Sequence, residues 1–158
     1  MKKWFLVFFA VLLAVRFLGP SSASSSGHPH RVTKPSQAAQ TTELTRESNG
    51  HFYTYAKVNG ELVHFIVDTG STGVALTEAD AARVGIDVNP ATFDEIGEGA
   101  SGAVRGKLVT IDSVEVEGKL VNDVLGAVLQ GSKLSLLGQS YLSRMGNVEM
   151  SGDYMVLR

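Results

Sequence analysis

The stretch Phe65-Ile66-Val67-Asp68-Thr69-Gly70-Ser71-Thr72-Gly73 decides how this chain is read. Its apolar start fits a buried strand, and an acid, a hydroxyl and a glycine follow where that strand leaves the sheet. An Asp after an apolar strand is by itself an ordinary turn opener, and a three-residue motif arises by chance. The surroundings give it weight. Just upstream, residues 52–58 and 62–67 flank Asn59-Gly60, the strongest two-residue hairpin signal, so the stretch is the second arm of a β-hairpin. Just downstream, Thr77-Glu78-Ala79-Asp80 sets a capping hydroxyl three residues before an acid, and a short helix runs from there to its stop at Gly85.

Further out, residues 107–116 and 119–124 alternate around Glu117-Gly118, residues 127–129 add an apolar strand, and residues 139–145 predict a second short helix. Residues 148–150 and 154–157 form a final hairpin around Ser151-Gly152-Asp153. The fold class is therefore mostly β with one or two short helices, over a domain spanning residues 50–158.

The rest of the 158-residue chain reads as targeting and tether. Met1-Lys2-Lys3 is basic, and residues 4–15 are unbroken apolar chain closed by Arg16. About 20 apolar residues span a bilayer, so this run favours a signal peptide cleaved after Ala23 over an N-terminal membrane anchor. Residues 1–23 place the domain outside the cytoplasm in both cases, in the periplasm, secreted, or held at the inner membrane by residues 4–18. Residues 24–49 are rich in Ser, Thr, Gln and Ala and predict a disordered linker. His28-Pro29-His30 within it lacks a third ligand and reads as solvated chain.

Composition narrows the chemistry. With no Cys there is no disulfide framework, thiol nucleophile or Cys-based metal site. Residues 1–50 carry six Lys or Arg against two Asp or Glu, whereas residues 51–158 carry eight against fourteen. An acidic body without a basic face is a poor partner for nucleic acid. Gly97-Glu98-Gly99-Ala100-Ser101-Gly102 matches the dinucleotide fingerprint, but a polar stretch precedes it and an alternating strand follows, so it reads as a glycine-rich hairpin tip.

Asp68-Thr69-Gly70 followed by Ser71-Thr72 resembles the active-site loop of aspartic proteases of the pepsin and retroviral type. Leu136-Leu137-Gly138, followed by a short helix, resembles the segment that crosses behind that loop in the family, and residues 148–157 resemble its closing hairpin. The order of these pieces is similar to that of bacterial retropepsin-like proteases with an N-terminal hydrophobic segment. That resemblance implies a closed β-barrel, half of the acid-protease fold, acting as a homodimer on a peptide or protein substrate, with no cofactor or metal.

It also implies roles. Two carboxylates about 3 Å apart cannot both ionise, so the pair acts as acid and base on a shared water. One Asp-Thr-Gly supplies one carboxylate, and Asp112 and Asp123 lack a following Thr-Gly, so the second Asp68 comes from a second chain. Gly70 allows close backbone approach and donates an N–H to the carboxylate. Thr69 reaches across the dimer axis. Ser71 is expected to support the loop, through a bond to the carboxylate or as a plain turn serine, together with Leu137 and Gly138. Residues 96–106 fall where retropepsins place their flap, which puts Gly97, Gly99 and Gly102 over the substrate. The alternatives are an inactive peptide-binding or assembly module of the same fold, and a hydrolase using His64, four residues before Asp68, with Ser71.

Overall fold

The computed structural model describes residues 40–99 and 102–158. Ten strands and two short helices follow one another as β1 (Thr42–Thr45), β2 (Tyr53–Val58), β3 (Glu61–Val67), β4 (Val74–Thr77), α1 (Glu78–Arg83), β5 (Asp94–Gly99), β6 (Gly102–Val116), β7 (Lys119–Leu129), β8 (Ser135–Leu137), α2 (Gln139–Met145), β9 (Val148–Ser151) and β10 (Tyr154–Leu157). Six strands form a ring in the order β2-β3-β8-β4-β7-β6, closed by pairing of Lys57 and Val58 with Glu115 and Val114. Closure leaves the barrel without a free edge at that point.

The β2–β3 and β6–β7 hairpins follow from their turn residues. Asn59 and Gly60 have φ of 51° and 92°, and Glu117 and Gly118 have 46° and 84°, the paired positive angles that let a two-residue loop follow the strand twist. Alternation then puts Val63, Phe65 and Val67 of β3 into the barrel, where they meet Val74, Leu76, Val124 and Leu137. Thr77 caps α1 by accepting from the Asp80 N–H at 3.0 Å, the cap expected from the sequence.

Three readings change. The linker predicted for residues 24–49 gives way at Thr42 to β1, which pairs antiparallel with β10, Thr42 opposite Leu157. The strand is held by tertiary contacts that local composition does not report: Thr42 Oγ1 donates to Glu117 Oε2 at 2.6 Å and Leu44 packs on the core. Residues 24–39 of that linker, and the targeting segment 1–23, lie outside the described residues. The strands expected at 119–124 and 127–129 are one, β7, in which Asp123 takes a φ of 52° without breaking the ladder to β6. Finally, β4 and β8 are too short to alternate visibly, and they form because the barrel supplies neighbours on both sides: β8 pairs parallel with β3 and antiparallel with β4.

Among the described residues no helix is long and apolar enough to cross a membrane.

Candidate active site

β3 delivers Asp68 to the point where the chain leaves the barrel, and β8 fixes it there. Val67 pairs with Leu137, and the Asp68 N–H donates to the Leu137 carbonyl at 3.1 Å. The chain then turns tightly, with the Ser71 N–H bonded to the Asp68 carbonyl at 3.2 Å. Gly70 donates its N–H to Asp68 Oδ1 at 2.9 Å, which orients the carboxylate. Thr69 and Gly70 are exposed, whereas Asp68 is half-buried.

Ser71 differs from one of its two expected forms. Its hydroxyl donates to the Gly73 carbonyl at 2.9 Å and makes no bond to Asp68, so the buried side chain braces the turn. Gly138 packs against the same turn backbone to backbone, since a Cβ there would meet the carbonyls of Gly73 and Ser71, the latter at 2.7 Å.

Two residues the sequence did not single out complete the support. The Gln139 N–H bonds the Ser71 carbonyl at 2.8 Å and its side-chain Nε2 bonds the Thr69 carbonyl at 2.8 Å. Ser140 donates its N–H to the Thr72 carbonyl at 2.9 Å, while its Oγ accepts from Val74 N at 3.1 Å and donates to Leu125 O at 2.6 Å. The first turn of α2 thus satisfies three carbonyls of the Asp68 loop, two with backbone N–H groups that a helix start leaves free and the third with the Gln139 side chain. Polar residues after Leu136-Leu137-Gly138 are the only trace of this in the sequence.

A cavity of about 780 Å3 opens over the loop, lined by Asp68, Thr69 and Gly70 and by apolar Ile66, Leu129 and Leu136. The β5–β6 hairpin arches along its side. Gly102, Ala103 and Val104 face the cavity, whereas Gly97 and Gly99 lie in the outer strand of the hairpin, opposite Val104 and Gly102, and do not line it. Residues 100 and 101 at the tip are outside the described ones.

The rival acids and bases sit elsewhere. Asp112 and Asp123 are exposed and do not line the cavity, so Asp68 is the one acid lining it among the described residues. His64 is stacked between Tyr53 and Tyr55 with ring centroids 5.2 and 4.6 Å away, on the outer face of the β2–β3 hairpin, and it does not line the cavity.

Known proteins carry the same plan. Residues 54–144 match the family described as "gag-polyprotein putative aspartyl protease". The crystal structure of a retropepsin-like aspartic protease from Rickettsia conorii superposes with a TM-score of 0.63 and 30% identity, covering 75% of this chain and 88% of that one. RP867 of Rickettsia prowazekii is 33% identical over 115 residues, 72% of this chain and 49% of that protein. A Sinorhizobium protein encoded in the cobV 5′ region is 33% identical over 135 residues, 82% of this chain and 58% of that protein. The chain thus spans about half the length of these two curated relatives. An Asp68-Thr69-Gly70 loop on a closed six-stranded barrel, matched by that family over most of the barrel, makes this chain a member of the retropepsin-like aspartic proteases.

Proposed function

We propose that this chain is an aspartic endopeptidase that works as a homodimer outside the cytoplasm, cutting extended peptides with a water held between two Asp68 carboxylates. One observation carries the reading: among the described residues each chain brings a single acid to the cavity, in the loop where the family keeps its catalytic Asp, and that half-buried acid stands beside the exposed Thr69. A second copy related by a twofold axis supplies the missing carboxylate and leaves Thr69 of each loop facing the other. Repulsion between the two groups keeps one protonated. The ionised Asp68 takes a proton from the water as it attacks the peptide carbonyl, and the protonated one donates to the developing oxyanion; proton transfer to the amide nitrogen then releases the amine. The β5–β6 hairpin excludes solvent and offers backbone groups to an extended substrate.

The test is a digest of denatured protein substrates by wild type and Asp68→Asn in parallel. Cleavage by wild type alone is expected. Equal cleavage by both overturns the reading, and binding without cleavage by wild type identifies a peptide-binding module.

A further inference from the structure

The cleft over Asp68 carries the opposite charge to the body around it. Residues 40–158 contain nine Lys or Arg against sixteen Asp or Glu. Three of those nine cations, Arg46, Arg105 and Lys133, line the cavity, where Asp68 is the sole acid. A random draw from nine cations and sixteen acids would give more acids than cations.

Two of the three are not neutralised. Five of the described cations are ion-paired, among them Arg46, whose Nε lies 3.3 Å from Asp153. Arg105 and Lys133 have no such pair. Arg105 sits opposite Glu95 in the β5–β6 ladder without an ion pair to it, and spends one donor on the Phe93 carbonyl at 2.7 Å, leaving the rest of its guanidinium open. Lys133 is exposed in the β7–β8 loop; the acid bonded to that loop, Glu78, accepts from the Gly131 N–H at 3.1 Å and does not line the cavity. Arg105 stands on the hairpin side and Lys133 on the loop side, with the apolar wall of Ile66, Leu129 and Leu136 and the Asp68 loop lining the same cavity.

We infer that the cleft selects peptides carrying acidic side chains on either side of an apolar pair at the point of attack, with Arg105 and Lys133 as the specificity-determining residues. The inference rests on the peptide-cleft reading above and names its substrate class. Twofold symmetry would present both cations on each side of the scissile bond. Opposite charge in a cleft also concentrates such substrates, an effect that salt removes.

Binding separates this from cleavage. Two fluorescent eight-residue peptides are compared by anisotropy on the full chain, both with an uncleavable hydroxyethylene link between central apolar residues. One carries Glu and the other Gln, two positions out on each side. The Glu peptide is expected to bind about tenfold tighter at low salt and about twofold tighter at 0.5 M salt. In the double variant Arg105→Gln, Lys133→Gln, checked for native circular dichroism, the preference should fall to about twofold or less. Equal affinities in wild type, no binding of either peptide, or an undiminished preference in the double variant overturns the inference. Because neither peptide can be cut, the result stands apart from the protease reading, which fails if a cleavable Glu peptide is bound but left intact.

Discussion

Gly138 and Gly73 meet with no room for a side chain between them: a Cβ on Gly138 would collide with the Gly73 carbonyl oxygen and sit 2.7 Å from that of Ser71. Because the obstacles are backbone carbonyls, that of Ser71 held by the Gln139 N–H and that of Gly73 by the Ser71 hydroxyl, they cannot move aside without disturbing the Asp68 loop. Gly138→Ala is expected to cost about 3 kcal/mol in denaturant unfolding and to abolish turnover. Gly152→Ala, at a turn with a φ of 57° and open space around it, should cost only about 1 kcal/mol and keep activity.

That contact also marks how far the sequence could be followed. The Asp68 motif, the hairpins at Asn59-Gly60 and Glu117-Gly118, and both helices were legible because each rests on neighbours within a few residues. What escaped depends on distant partners. β1 exists through β10, β8 through β3 and β4, and the polar contacts of Gln139 through a loop some 70 residues earlier. Arg105 and Lys133 read as scattered surface charge until the barrel sets both beside one cavity.

Gln139 acts on the site through the Thr69 carbonyl. Losing its amide donor frees that carbonyl and loosens the turn that aims Asp68, while the helix N–H bonds remain. For Gln139→Ala, kcat should fall roughly three- to tenfold with KM little changed, and stability should drop by no more than about 1 kcal/mol. Gln139→Arg keeps a donor and should recover most of the loss. A KM effect without a kcat effect would place Gln139 in substrate binding instead.

Tyr141 ties α2 to the β6–β7 hairpin: its buried hydroxyl accepts from Val116 N at 3.1 Å and donates to the Lys119 carbonyl at 2.7 Å. Burial holds this hydroxyl far above the ordinary tyrosine range, with a nearby Glu115 adding to the effect and the Val116 bond opposing it. In the unfolded chain it titrates near 10, so above that pH the unfolded state has lost a proton the folded state keeps, and stability falls. Tyr141→Phe should unfold about 2 kcal/mol more easily at pH 7, from the two stranded backbone groups, and should lose part of the alkaline decline above pH 10. Thermal unfolding of both proteins between pH 8 and 11 measures this, and parallel curves would place the alkaline sensitivity elsewhere.

The last expectation concerns concentration. If the second carboxylate belongs to a second chain, a monomer has no dyad, and specific activity must rise with protein concentration until the dimer is full. Residues 40–158 should lose activity on dilution in step with the sedimentation coefficient. At saturating concentration the pH profile should be bell-shaped, because one Asp68 must be protonated and its mate ionised. Mixing wild type with excess Asp68→Asn should inhibit, since each mixed dimer holds a single carboxylate. Constant specific activity down to concentrations where only monomer sediments would require a second acid within the chain, and Asp112 and Asp123, both exposed and away from the cavity, would be the first to mutate.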